Sequence, residues 1–211
     1  MQTNIVAKPQ LAKQGKQKIE WVKRNMPILR QIEDDFRKQQ YFRGLRVLVC
    51  IHLEAKTAYL ANVLASGGAE VAVAGSNPHS TKDDVVAALA EDGLHVYASY
   101  GATPEEMHHY MNLALDVRPN IVIDDGGDLA ELLHTERQEF LPEVMGACEE
   151  TTTGVLRAKA RAKAGVLEFP IILINDARCK FLFDNYHGTG QSVWDGVMRT
   201  TNLVISGKTV V

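Results

Sequence analysis

The chain has little of what marks several specialised protein classes. Among its 211 residues are three cysteines, Cys50, Cys148 and Cys179, widely spaced and with no CxxC pair. That argues against a disulfide framework or a zinc site and suits a reducing, cytoplasmic setting. No apolar run approaches the roughly 18–20 residues needed to span a bilayer, so no membrane partner is expected. Acidic and basic residues nearly balance, for a net charge of −3, which leaves no electrostatic case for nucleic acid. Aromatic residues make up 7%, too few to suggest a stacking platform. The segment 1–17 is polar and Lys-rich, without the apolar stretch of a secretory signal, and reads as a flexible N-terminal tail.

What is present is ordinary material for a globular core: 45% hydrophobic and 23% charged residues. From Lys18 to Lys38, Ile19, Trp21, Val22, Met26, Ile28, Leu29, Ile32 and Phe36 recur mostly at three- and four-residue spacing. This predicts a helical segment, divided or kinked at Pro27. Beyond it, short apolar runs alternate with longer amphipathic stretches. The runs are Arg46–His52, Glu70–Ala74, His95–Ser99, Asn120–Asp124 and Ile171–Asn175. The helix candidates lie near Lys56–Ala65, Thr81–Glu91, Pro104–Leu115 and Thr152–Ala164. Runs apolar throughout suggest strands buried on both faces. Their alternation with helices predicts an α/β fold, a doubly wound, mostly parallel sheet of flavodoxin or Rossmann type with an N-terminal helical segment.

Sheets of this kind place their sites at the carboxyl ends of the strands. His52 ends the first run, Gly75-Ser76-Asn77 follows the second, and Asp124 and Asp125 end the fourth before Gly126-Gly127. Asn175 and Asp176 end the last, and Glu149-Glu150 precede Thr151-Thr152-Thr153-Gly154 at the start of a helix. Titratable groups therefore gather on one predicted edge, as a pocket requires.

Each of these groups also has a purely structural explanation. His52 is either a proton carrier titrating near neutral pH or a hydrogen-bonded strand-end histidine. Asp124 to Asp128 either place a carboxylate in a pocket or cap a helix. The acids and hydroxyls from Glu149 to Thr153 exceed what a cap consumes. Lys180, Asp184 and Asn185 stand at i, i+4, i+5 spacing, which is either a surface ion pair or a lysine tuned as a base. Gly188-Thr189-Gly190 fails as a dinucleotide loop, because Val193 stands where the third glycine belongs and no strand precedes it. His108-His109 lacks a metal-ligand partner at useful spacing and reads as solvated.

In combination, six strings resemble the S-adenosyl-L-homocysteine hydrolase (adenosylhomocysteinase) family. They are His52-Leu53-Glu54-Ala55-Lys56-Thr57-Ala58, Gly75-Ser76-Asn77-Pro78, Ile123-Asp124-Asp125-Gly126-Gly127-Asp128-Leu129, Glu149-Glu150-Thr151-Thr152-Thr153-Gly154, Phe183-Asp184-Asn185, and Asp195-Gly196 with Arg199-Thr200-Thr201-Asn202. The likeness runs from about Ile19 to Val211 and covers the substrate-binding part of the family. It implies reversible hydrolysis of S-adenosyl-L-homocysteine to adenosine and L-homocysteine, a step of one-carbon metabolism, in a cytosolic homo-oligomer, with a homotetramer as the expected assembly. It also implies one NAD per subunit, which transiently oxidises the ribose 3'-hydroxyl so that the 4'-proton becomes acidic and homocysteine can leave.

Residue by residue, the resemblance makes Lys180 the base at the 3'-hydroxyl, with Glu150 and Asp184 on the ribose hydroxyls. It gives His52 and Asp125 proton transfer at the 5' side. Glu54 and Lys56 fall at the base contact, Asn185 near the nicotinamide, and Thr151, Thr152 and Thr153 against NAD. Glu54 and Lys56 replace the Thr and Glu of many members, which opens the alternative of an inosyl substrate. Lys82 and His187 also depart from the usual Gln and Tyr. Segment 18–203 is expected to form the substrate domain and 204–211 the first strand of a NAD-binding domain that the sequence does not continue. On that reading these residues alone have no turnover, and a NAD-less nucleoside-binding or regulatory paralogue is the other alternative.

Overall fold

The computed structural model describes residues 4–210 and divides into two units, residues 1–172 and 173–211. The first unit is built on a six-stranded sheet: β1 (Arg46–Ile51), β2 (Glu70–Gly75), β3 (His95–Tyr97), β4 (Ile121–Asp124), β5 (Gly146–Glu149) and β6 (Ile171–Leu173). Their order is β3-β2-β1-β4-β5-β6, with parallel ladders from β3 through β5. This is the α/β arrangement expected, and its order reverses between β1 and β4.

The reason lies in the alternation within each strand. On β1, Val47, Val49 and Ile51 face one side and Leu48 and Cys50 the other, all nearly free of solvent. The first side is covered by α1 (Ala12–Asn25), α2 (Pro27–Gln39), α3 (Ala55–Ser66) and α4 (Asp83–Glu91). The second is covered by α5 (Pro104–Leu115) and α6 (Asp128–Thr135). Helix α7 (Thr152–Ala164) follows β5. Pro27 divides the first helical stretch as predicted, standing at the first position of α2, where its missing N–H costs nothing.

Several boundaries differ from the sequence reading. Helix α1 begins at Ala12 rather than Lys18. Ala12 is buried, and Lys16 pairs with Glu91 and Asp92 at the end of α4. Asn4 holds Leu94 and Val96 through its side chain, and Ile5 bridges to Tyr97. Residues 4–17, expected as a tail, are thus tied down: Asn4 and Ile5 meet the edge strand β3, where unpaired backbone groups need partners, and the residues from Pro9 pack on α4; residues 1–3 lie outside the described residues. Strand β5 was not expected, because Gly-Ala-Cys-Glu carries no β-branched residue. It forms because Ile121 to Asp124 offer a complete neighbouring ladder.

In the second unit, a π-helix covers Lys180–Thr189 and runs into α8 (Gly190–Thr201). Gly188-Thr189-Gly190 is therefore helical, in agreement with its failure as a dinucleotide loop. Residues 204–210, expected to open a strand, form a turn and no ladder. A strand needs a paired edge, and no described segment provides one; Val211 is outside the described residues.

Candidate functional site

His52 follows β1 and Asp125 follows β4, so both stand at the point where the strand order reverses. The His52 Nε2 lies 3.5 Å from Asp125 Oδ2. Its Nδ1 is 2.6 Å from Ser80 Oγ. Ser76, just beyond β2, donates to Asp125 Oδ2 at 2.8 Å. Three loops thus converge on a carboxylate whose side chain is only 6% exposed beside an imidazole 53% exposed. A nearly buried acid touching an accessible imidazole is an arrangement able to relay a proton to a bound molecule.

Asp124 and Asp125 divide the work differently from the simple capping account. Asp124 is fully enclosed and accepts from the Asp125 and Ala130 amides at 3.0 Å each. Burial pushes its carboxyl up to about 7, with the negative charge of Glu149 adding to the effect and the two amides opposing it. Asp128 is not the cap of α6. Gly127 is, in the left-handed region, while Asp128 pairs with Arg157 at 2.7 Å.

Glu149 is the residue that sequence reasoning undervalued. It is 2% exposed and stands beside Asp124 in the ladder. One oxygen, Oε1, accepts from Gly126 N at 3.0 Å, Thr151 N at 2.8 Å and Thr151 Oγ1 at 2.9 Å. Gly154 must be glycine here, because a Cβ would fall on the Glu149 carboxylate. The signal was available in EETTTG, but its meaning depends on β5.

Other expected residues resolve in part. Glu150 is half-buried, and its amide donates to Asp124 O at 3.0 Å, fixing it beside the β4 loop. Thr151 caps α7 by accepting from Gly154 N, so its hydroxyl is committed within the protein. Thr152 and Thr153 occupy the first turn of α7. Glu54 caps α3 by accepting from Lys56 N at 3.0 Å, and Lys56 Nζ stands 3.8 Å from it. In the second unit, Lys180 donates to Asn175 Oδ1 at 2.7 Å and Asn185 Oδ1 at 2.6 Å, with Asp184 at 3.8 Å. The i, i+4 pair therefore exists, but the lysine's tighter partners are amides. Its π-helix is a geometry common at functional sites.

The first βα turn, where a Rossmann sheet carries its glycine fingerprint, here reads His52-Leu53-Glu54-Ala55. These residues build no pyrophosphate cradle. Among the described residues no cluster of metal-ligating side chains occurs, and no helix is long and apolar enough to cross a membrane. A groove of about 420 Å³ beside β4 and β5 is lined by Phe42, Leu64, Ile121, Ile123, Met145 and Ile172 among others, with no carboxylate, imidazole or amine.

The profile of S-adenosyl-L-homocysteine hydrolase matches residues 3–141 and 135–208. The chain is 55% identical over 201 residues to an adenosylhomocysteinase of Pyrococcus abyssi, covering 95% of this chain and 48% of that protein. It is equally identical, over the same shares, to an S-inosyl-L-homocysteine hydrolase of Methanocaldococcus jannaschii. An S-inosyl-L-homocysteine hydrolase of Methanosarcina mazei is 50% identical over 203 residues, 96% of this chain and 49% of that protein. The chain spans about half the length of the curated relatives it matches.

Proposed function

From the premise that this chain belongs to the S-adenosyl-L-homocysteine hydrolase family, we propose that it forms the nucleoside-binding half of an enzyme that reversibly hydrolyses a purine-nucleoside homocysteine thioether. The product pair for the adenosyl substrate is adenosine and L-homocysteine. The observation that carries the reading is the His52–Asp125–Ser76 cluster at the β1/β4 reversal. Ser76 orients the Asp125 carboxylate, and Asp125 faces the imidazole. The pair is placed to give a proton to the departing thiolate and take one from the entering water. Glu150 and Asp184 supply acceptors for ribose hydroxyls, and binding two of them fixes the sugar for reaction. Lys180, cradled by Asn175 and Asn185, is the group to take the 3'-hydroxyl proton.

NAD, when bound, supplies reversible oxidation at the sugar 3' carbon; Thr151, Thr152, Thr153 and Asn185 are the residues here that would touch it. Cytoplasmic location and homo-oligomeric assembly, a tetramer in the resemblance, belong to the same proposal, and free Cys50, Cys148 and Cys179 suit it.

An inosyl substrate is the second reading, favoured by the Glu54–Lys56 pair and by the relatives that carry that name. Hypoxanthine presents a carbonyl acceptor and an N–H donor, which match a lysine and a carboxylate. Calorimetric titration with adenosine and with inosine, on the wild type and on Asp125→Ala, tests the site. We expect one nucleoside to bind and the variant to lose it. Binding unchanged in Asp125→Ala would place the ligand elsewhere. Homocysteine release from the adenosyl and inosyl thioethers, with NAD added to the full-length protein, then assigns the reaction.

A further inference from the structure

We propose that Glu149 is a positioning residue whose buried carboxylate clamps the loop after β4 to the start of α7 and so holds Asp125 in place for the bound nucleoside. This rests on the nucleoside reading of the site. Glu149 touches neither His52 nor the open side of the cluster. It acts through the backbone.

The peptide units on both sides of Asp125 are held by buried carboxylates. Asp124 Oδ1 accepts from the Asp125 amide, and Glu149 Oε1 accepts from the Gly126 amide. Asp125 has no freedom to swing about its own Cα while both bonds stand. Gly126 has φ near +111°, a conformation that its lack of a Cβ permits but does not enforce. A loop of two consecutive glycines would otherwise sample many states, and each residue fixed costs about 1–2 kcal/mol of backbone entropy. The clamp holds that loop in the one conformation that presents Asp125 to Ser76 and His52.

The same Oε1 takes the Thr151 amide and hydroxyl, and the Glu150 amide reaches back to Asp124 O. The β4 and β5 loops are thus cross-tied twice, and Asp125 and Glu150 are registered to each other. Gly154 completes the device by leaving room for the carboxylate over the first turn of α7. Hydrogen bonds to an ionised acceptor are about twice as strong as neutral ones, which suits a charged clamp to a loop.

Three variants test this: Glu149→Ala, Glu149→Gln and Gly154→Ala. Gln keeps an accepting Oε1 without the charge. Gly154→Ala raises the helix propensity of α7 by about 1 kcal/mol while displacing Glu149, so a fall in affinity there cannot come from a weaker helix. For each variant, amide hydrogen exchange at Gly126 and Thr151 and calorimetric affinity for adenosine and inosine are measured. Glu149→Ala and Gly154→Ala are expected to lose amide protection and roughly tenfold or more in affinity. Glu149→Gln is expected to restore most of both. If Glu149→Ala does not fold, Gly154→Ala decides. Unchanged protection at Gly126 in the folded variants, or affinity within about twofold of wild type, overturns the clamp. If the wild type binds neither nucleoside, the nucleoside reading fails, and the exchange data still decide whether Glu149 holds the Asp125 loop.

Discussion

Asp125 and Lys180 are proposed for one chemistry, yet the two units of the chain hold them by different means. Around Asp125 the two backbone supports are the buried carboxylates of Asp124 and Glu149, and half-buried Ser76 holds its own carboxylate. Its amide, the next amide and its own carboxylate each have a partner from a strand end, and behind them lie Leu129, Leu133 and Val122, all free of solvent. Around Lys180 the supports are local. Asn175, Asp184 and Asn185 lie within five residues, and no described residue from 173 to 210 is buried. Phe181, Phe183, Tyr186 and Val204 are all more than 60% exposed. A core fixes a side chain by making every alternative costly, whereas a helix of this length supplies only spacing, because helices are marginal without tertiary packing. Residues 4–172 therefore carry their own specification of geometry. Residues 173–210, which hold the proposed base Lys180, have little packing of their own.

The largest expected effects concern turnover. In a full-length protein that releases homocysteine, Asp125→Asn and Lys180→Met should each lower kcat by roughly 10²–10⁴, the range for loss of a positioned proton carrier. The comparison predicts a difference in a second measurement. Lys180→Met should leave thermal unfolding of the first unit unchanged, since its bonds are to its own segment. A clear loss of that stability would show the second unit to be less self-contained than its hydrogen bonds indicate.

Stability itself should separate the units next. Leu129→Ala removes a solvent-free side chain packed under the β4 loop and should cost about 2–5 kcal/mol in denaturant unfolding. Phe183→Ala, 62% exposed, should cost about 0.5 kcal/mol or less. Equal costs would break the comparison.

The same contrast governs what could be read from sequence. Strands β1, β2 and β4 announce themselves through runs of Val, Ile, Leu and Ala, because a strand buried on two faces must be apolar on both; β3 and β6 are read from shorter runs, and in β6 Ile172 stands exposed. Strand β5 does not announce itself. Its four residues include no β-branched side chain, and Ala147 and Cys148 lie along the open groove beside β4 and β5, so no periodicity test recognises them. The early start of α1 escaped because its inward positions are Ala12 and Gly15, too small to mark an apolar stripe. At the site, Asp125 and His52 were legible from their place after strands. Glu149 was not, since its role depends on standing beside Asp124 in a ladder whose second strand was itself hidden. The π-helix was not legible either. Its i→i+5 bonds have no composition of their own.

The smallest effect tests the buried pair by pH. Asp124 titrates near 3.8 when exposed and near 7 in the folded protein. A carboxyl raised in this way favours the folded state in acid below its unfolded value. That contribution is lost as pH rises through about 7, because the folded protein must then bury the charge. Part of the rise comes from the Glu149 charge next to it. Glu149→Gln removes that charge while keeping the acceptor for Gly126 and Thr151. Near pH 5 Asp124 is already protonated, so the substitution relieves no repulsion. Near pH 8 it is ionised, and the repulsion is relieved. The unfolding free energy of Glu149→Gln relative to wild type should therefore improve from pH 5 to pH 8. Lys180→Met, in a segment with no buried carboxyl, should show no such slope over the same range. A relative stability of Glu149→Gln that is flat or falls with pH would mean that the two carboxylates do not share the burial that their register implies.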